Sequence, residues 1–393
     1  MKKILYVTGS RAEYGIMKRL LIALKNDPDI QLTLVATGMH CDEKYGLTYK
    51  NIEDDGFKID KLIDIQIDTS NNARILHSMA ICLSEFGNYF QDKKFDAVMV
   101  LGDRYEIFSV AIAAAMHNQN IIHLHGGEQT LGNYDEFIRH SITKMAKLHL
   151  ASTEIYRQRI IQLGEMPSTV YNIGSLGAEN TLALDLPEKN KIEIKYGALP
   201  KPYFVVVFHP ETLINHPIDL QVEQLLLSLK DLSHSYDYVF IGSNSDTGSD
   251  IIYNMISNFC KENNSLYIPS LLPEEYLALC KYSSALIGNS SSGIIEIPSL
   301  GIPTINIGSR QQGRVKGDSI IDCKCTKDDI VSAIKFSQHH TFKEKIRNSI
   351  NPYYQKETLE NTIKIIKDYI NNYKNTPKKF HDLTLLHLDR ESL

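Results

Sequence analysis

The sequence predicts an α/β protein made of two doubly wound parallel-sheet domains that face one another across a cleft. Three observations carry this reading. Short apolar runs alternate with helix-period segments along the whole chain, as in strand–helix–strand units. A length of 393 residues exceeds what one ordinary core organises. Polar, glycine-rich segments follow directly on the predicted strands in both halves, where a doubly wound sheet holds its ligand.

In the first half, residues 4–7 read as a strand, and 16–25 as a helix because apolar residues recur at i, i+3 and i+4. The runs 32–35, 97–101, 121–124, 148–150 and 170–173 read as further strands, with helices that include 106–116 and 135–146 between them. After Gly174 the polar stretch 186–195 marks the passage into a second domain. There the pattern restarts, with strands at 204–208, 238–241, 266–268, 285–287 and 304–307. A helical segment at 357–373 follows Asn351-Pro-Tyr353 and is expected to return to the first domain. The reading therefore places domains at 1–180 and 181–355, the returning helix at 356–373, and a weakly ordered tail at 374–393.

Composition narrows the function. With 43% hydrophobic and 23% charged residues and a net charge of −5, the chain reads as globular. No Lys/Arg-rich block marks a nucleic-acid track or a membrane-binding face, so neither partner is expected. The start, Met-Lys-Lys-Ile-Leu, has the charge of a secretory leader, but Gly9, Ser10, Arg11 and Glu13 cut its apolar run short. No segment approaches the roughly 18 apolar residues of a membrane span. The six cysteines are scattered, and Cys323-Lys-Cys325 is too tight for a zinc knuckle. Free thiols and a cytoplasmic location are the expectation, with no metal site.

The unusual residues collect in six loops. They are Thr8-Gly-Ser-Arg-Ala-Glu13, Gly102-Asp-Arg104, His125-Gly-Gly-Glu128, His209-Pro-Glu-Thr212, Gly242-Ser-Asn-Ser-Asp246 and Gly288-Asn-Ser-Ser-Ser-Gly293. Three lie in each half, which implies two sheet edges meeting at a cleft. Arg11 at a helix start suits a phosphate, and equally a plain surface. Asp103 and Arg104 suit a site or a structural ion pair. His125 and Glu128, separated by two glycines and followed by Asp135, suit general acid–base work; Asp135 also suits a helix cap. His209 suits donation to a phosphate oxygen or a structural hydrogen bond. Gly308-Ser-Arg-Gln-Gln-Gly-Arg314 suits a phosphate contact or a plain basic loop.

The serine loop is the strongest single signal. Ser290, Ser291 and Ser292 stand where a helix begins, and such a start offers unpaired N–H groups and partial positive charge to an anion. Gly288 and Gly293 are expected to let the backbone approach that anion. Glu296, four residues beyond Ser292, shares its helix face. A diphosphate would repel it, so it is expected to meet neutral hydroxyls such as a ribose.

Taken together, these loops, with Asp135-Glu-Phe-Ile-Arg-His140, resemble the hydrolysing UDP-N-acetylglucosamine 2-epimerases of bacterial sialic-acid capsule pathways. The likeness runs from Met1 to about Tyr373 with the motifs in the same order. It implies two Rossmann-like domains in the arrangement shared with many nucleotide-sugar glycosyltransferases. It also implies conversion of UDP-N-acetylglucosamine and water to UDP and N-acetylmannosamine, without metal or redox cofactor. The implied route is anti elimination of UDP to 2-acetamidoglucal, followed by hydration. Asp103 and Asp135 match family catalytic carboxylates. The third such position, often glutamate, is His125 here, so either His125 or Glu128 takes that role. Arg11, His209 and the serines 290–292 match the diphosphate side, and Ser243 and Gly293 are expected among the UDP-binding residues. Glu296 matches the ribose acid, and the backbone at Leu271 the uracil contact. The family habit implies a homo-oligomer, a dimer or a tetramer.

Overall fold

The computed structural model describes residues 1–213, 216–372 and 377–383. Two wholly parallel sheets organise it. The first contains β1 (Lys2–Thr8), β2 (Ile30–Thr37), β3 (Ile59–Ile63), β4 (Ala97–Leu101), β5 (Ile121–Leu124), β6 (Leu148–Ala151) and β7 (Val170–Asn172). The second contains β8 (Tyr203–Val207), β9 (Asp237–Ile241), β10 (Leu266–Ile268), β11 (Ala285–Gly288), β12 (Thr304–Ile307) and β13 (Ile320–Cys323). Their orders are β3-β2-β1-β4-β5-β6-β7 and β10-β9-β8-β11-β12-β13. Each winds outward in both directions from a central pair of strands, which defines a doubly wound α/β domain.

Strands at the centre are buried on both faces. Along β1, Ile4 and Tyr6 enter one core while Leu5 and Val7 enter the other, as the period of two requires. Phe204 and Val206 of β8 divide from Val205 and Val207 in the same way. Each such aliphatic side chain, fully removed from water, contributes about 1.5–3 kcal/mol. An aspartate at Val206 would therefore unravel the centre of its sheet.

The expected strands are all present, with ends shifted by up to two residues. Two strands are additional, β3 and β13, and both are edge strands. Their residues are mostly half-buried or exposed, with only Ile63 buried, so they lack the continuous apolar run that marks a central strand. The polar passage at 186–195 is also more ordered than expected, since a helix, Lys189–Tyr196, forms within it.

The returning helix, Thr358–Asn372, packs Ile366 and Ile370 into the core beneath β1 and β2. A fifth core cluster joins the halves, with Tyr156 and Ala178 against Ile294, Ile295 and Tyr353. There the hydroxyls of Tyr156 and Tyr353 meet at 2.7 Å, and the amide of Val315 donates to Tyr156 at 2.8 Å. Of the expected tail, residues 374–376 and 384–393 lie outside the described residues, as does Tyr373. The described segment, 377–383, is held against the first domain. Lys378 pairs with the buried Glu165 at 2.6 Å and donates to the carbonyls of Thr143, Lys144 and Ala146. Among the described residues, no helix is long and apolar enough to cross a membrane.

Candidate active site

The strand order places the site. Each sheet reverses its winding beside its central pair, β1 and β4 in the first and β8 and β11 in the second. The loops leaving those four strands carry Arg11, Asp103, His209 and Ser290, so the two switch points face one cleft. One pocket in it gathers Arg11, His209, Leu271, Ser290, Ser291, Ser292, Glu296 and Arg310.

Arg11 opens the helix Arg11–Lys25, which Ser10 caps by accepting from the amide of Glu13. Its guanidinium reaches across the cleft to Ser270 Oγ at 2.5 Å. Burial lowers its pKa to about 10, so it remains a cation at neutral pH.

His209 is fixed by Asn289, whose side chain accepts from its amide at 2.7 Å and donates to its carbonyl at 2.9 Å. Its Nδ1 accepts from the amide of Asn244 at 3.3 Å, which assigns the ring proton to Nε2. Burial, then Arg310 and Arg104, hold the imidazole well below its usual pKa. The pocket therefore receives a neutral N–H donor.

The serine loop presents hydroxyls as expected. Tyr276 OH lies 2.5 Å from Ser292 Oγ, which is 3.2 Å from Ser290 Oγ. The glycines act differently from the expectation. Gly293 donates its own amide to the carbonyl of Ser290 at 3.2 Å, and a Cβ there would strike Leu286 and Thr304 at 2.7 Å. A Cβ on Gly288 would strike the carbonyl of Val207, and its φ of +138° is itself a glycine conformation. Both glycines thus let a short helix lie close on its sheet. Ser243 lines a smaller adjoining recess with Arg11 and Ser270 rather than the main pocket.

Glu296 follows the short helix Ser292–Ile295 and lines the pocket. Burial raises its carboxyl to about 7, opposed by the nearby His125. The nucleotide-type contacts and the acid–base residues therefore adjoin at Glu296.

Behind it stands a largely buried cluster of carboxylates, each with a cation. Glu128, 1% exposed, accepts from Ser152 at 2.7 Å and meets Arg314 at 2.5 Å and His125 Nδ1 at 3.1 Å. Burial alone would raise its carboxyl; Arg314, His125 and Ser152 together reverse that and bring it to about 2. His125 sits in the left-handed region at φ +63°, and its Nε2 is buried without a hydrogen-bond partner. A β-carbon held there indicates a side chain aimed by its surroundings.

Asp103 pairs with Arg139, whose other amine donates to the carbonyl of Glu128 at 2.9 Å. The alternative pair, Asp103 with Arg104, does not form: Arg104 turns to Glu106 at 2.5 Å and to Ser245 at 2.6 Å. Asp135 is the first residue of the helix Asp135–Met145 but does not cap it. Asn133 donates to it at 2.9 Å, and Arg310 stands 3.6 Å away. Burial, then repulsion from Asp246, raises Asp135 to about 7.

Arg310 and Arg314 are thus the second domain's contribution to this cluster, on a loop pinned by Glu211, which accepts from the amides of Ser309 and Arg310. The sequence flagged that loop without assigning it. Arg139 was legible only as part of the motif beginning at Asp135. A larger cavity of about 710 Å³ lies elsewhere, lined by Glu165, Tyr171, Asp368 and Lys378. It includes none of the four acid–base candidates or the serine loop.

The chain resembles known proteins over nearly its whole length. A sequence profile for UDP-N-acetylglucosamine 2-epimerases matches residues 22–367. Polysialic acid biosynthesis protein P7 of Escherichia coli is 58% identical over 383 residues, 98% of each chain. The hydrolysing GDP/UDP-N,N'-diacetylbacillosamine 2-epimerase of Campylobacter jejuni is 38% identical, over 87% of this chain and 89% of its own. Among solved structures, UDP-GlcNAc 2-epimerase from Neisseria meningitidis bound to UDP-GlcNAc superposes with a TM-score of 0.76. It is 18% identical, over 93% of this chain and 100% of that one, a likeness that speaks for the fold. A profile match over most of the chain and a relative identical at more than half of its positions make the protein a member of the UDP-N-acetylglucosamine 2-epimerase family.

Proposed function

We propose that the chain is a hydrolysing 2-epimerase that converts UDP-N-acetylglucosamine and water to UDP and N-acetylmannosamine on the way to sialic acid. One observation carries the reading: a pocket with groups suited to an anion and to hydroxyls adjoins, at Glu296, a cluster in which Glu128, Asp135 and His125 are buried and Asp103 is half-buried. The E. coli polysialic acid relative supports the pathway.

The proton at C2 of the sugar is hardly acidic, because no carbonyl adjoins it. Departure of UDP must therefore lead, with cationic character at C1. Arg11, Arg310, the His209 N–H and the serine hydroxyls take the charge of the leaving diphosphate, while Glu296 holds the ribose and Leu271 borders the uracil. His125 is the base of the elimination. Glu128 holds its Nδ1 and steadies the imidazolium that forms, while the unpartnered Nε2 takes the proton. Asp103, locked by Arg139, stabilises the cationic ring. Asp135, which can hold or release a proton near neutrality, serves the hydration of the glucal.

A second reading keeps the chemistry and changes the sugar to a UDP-2,4-diacetamido-6-deoxy hexose. The C. jejuni relative favours it. Incubation in deuterated water without any acceptor tests both. UDP and N-acetylmannosamine are expected in equal amounts, with deuterium at C2. A product without that deuterium rejects elimination and hydration. Absence of UDP release favours a glycosyltransferase on the same fold. A faster rate on the diacetamido sugar selects the second reading.

A further inference from the structure

The segment 243–250, Ser-Asn-Ser-Asp-Thr-Gly-Ser-Asp, carries no apolar side chain, yet Ser245, Asp246 and Ser249 are buried. Polar groups leave water only where they find partners, and here the partners belong to the first domain. Ser245 Oγ accepts from Arg104 at 2.6 Å and lies 3.3 Å from Tyr105 OH. The amide of Gly248 donates to the carbonyl of Thr69 at 3.1 Å, and Ser249 Oγ donates to Thr69 Oγ1 at 3.3 Å. Thr247 donates to Asn72 at 2.8 Å, and Asp250 pairs with Lys44. Gly248 has a φ of +86°, and a Cβ there would strike Ile218, so glycine lets the backbone turn its amide onto Thr69.

The same segment touches the active-site groups. The Asn244 amide fixes Nδ1 of His209. Asp246 stands 3.8 Å from Arg104 and 3.9 Å from Arg310, the cation beside Asp135. What docks on the first domain therefore also sets residues that face the substrate.

This contact has to break and re-form. The main pocket encloses about 170 Å³, below the ~300–1,000 Å³ of sites that enclose small ligands. A nucleotide sugar therefore enters only when the two domains part. The apolar cluster of Tyr156, Ile294 and Tyr353 suits the fixed side of that motion. The contact at 243–250 is polar throughout, and water replaces its hydrogen bonds at small net cost.

We propose that the segment 243–250, pinned across the cleft by Arg104 and Thr69, is a polar latch that retains the glucal between elimination and hydration. The inference rests on the proposed function. UDP departs with the electron pair of the C1–O bond, and the C2 proton passes to His125. The sugar is then a neutral glucal, joined neither to the nucleotide nor to the protein. A closed cleft is what keeps it until water adds.

The test is the ratio of free 2-acetamidoglucal to UDP, read by NMR early in the reaction with UDP-N-acetylglucosamine. Wild type is expected to give UDP and N-acetylmannosamine in equal amounts, with glucal at the limit of detection. Ser245→Ala with Thr69→Val removes neutral contacts and leaves Arg104 on Glu106. It is expected to release at least ten times more glucal per UDP. Ile256→Val loosens the core of the second domain instead, and should leave the ratio unchanged. Thr69→Cys with Ser249→Cys, at positions whose hydroxyls stand 3.3 Å apart, is expected to cross-link on oxidation, lose turnover, and regain it with dithiothreitol. An unchanged ratio in the first variant, failure of the second to cross-link, or full turnover once cross-linked would overturn the latch and leave the proposed reaction standing. A wild type that releases no UDP removes the reaction and the latch with it.

Discussion

Replacing Arg314 with methionine isolates the ion pair that joins the two domains at the acid–base cluster. Arg314 Nη1 lies 2.5 Å from Glu128 Oε2, and both side chains are almost wholly buried. The carboxyl of Glu128 stands at about 2 against an ordinary 4.5. That depression corresponds to roughly 3 kcal/mol favouring the folded state. It agrees with the ~3–5 kcal/mol lost when one member of a buried pair is removed. In the wild type this contribution is present above the unfolded value of 4.5 and disappears only as the pH falls towards 2. It is therefore constant between pH 7 and pH 5.

In Arg314→Met burial becomes the dominant influence on Glu128, and its folded pKa rises above the unfolded one. The variant should lose about 3 kcal/mol at pH 7 and regain part of it as the pH is lowered to 5, where protonation removes the stranded charge. Chemical denaturation followed by circular dichroism, at both pH values, measures this. Arg314→Met/Glu128→Gln removes the charge outright and should be nearly pH-independent over the same range. The reasoning is refuted if the single variant loses equally at pH 5 and pH 7, or if the double variant recovers nothing.

Further tests address the chemistry. Ser290→Ala with Ser291→Ala should weaken UDP binding by about 1.5–3 kcal/mol per lost hydrogen bond to charge, read by calorimetry; unchanged affinity would move the diphosphate elsewhere. Glu296→Gln should raise KM more than it lowers kcat, since a ribose contact is alike in ground and transition states; steady-state kinetics showing the reverse would reject that role. Asp103→Asn and His125→Ala should each cut kcat at least ~100-fold with UDP affinity nearly intact, and an undiminished His125→Ala would return the base to Glu128. Because Asp246 raises Asp135, Asp246→Asn should move the acid limb of the kcat profile to lower pH; an upward move would contradict the assignment.

The sequence was most legible where chemistry and burial are local. Central strands such as 97–101 and 285–287 announce themselves as unbroken apolar runs, because both faces of a parallel sheet are covered. The edge strands β3 and β13 mix charged and apolar residues, since one side meets water, and they have no such signature. The serine loop and His209 stand out because each follows a strand directly, and Glu296 because it lies one helical turn beyond Ser292. Pairings between distant segments do not. Arg314 meets Glu128 from the other domain, and no spacing rule links residues so far apart. Gly288 and Gly293 show the opposite error: a local pattern suited an anion, but packing against Val207, Leu286 and Thr304 explains the glycines.

The attachment of residues 377–383 bears on how this protein is handled. Lys378 satisfies a carboxylate that is 1% exposed and covers the final carbonyls of the helix that begins with Asp135. Phe380 lies over Gly164 and beside Lys144. An expression product trimmed after Asn372, a natural choice for crystal growth, would leave Glu165 with Lys144 and His149 alone and uncover the far end of that helix. A purification tag belongs at the amino terminus, where Met1 is 81% exposed, and activity measured on a shortened product describes a loosened enzyme.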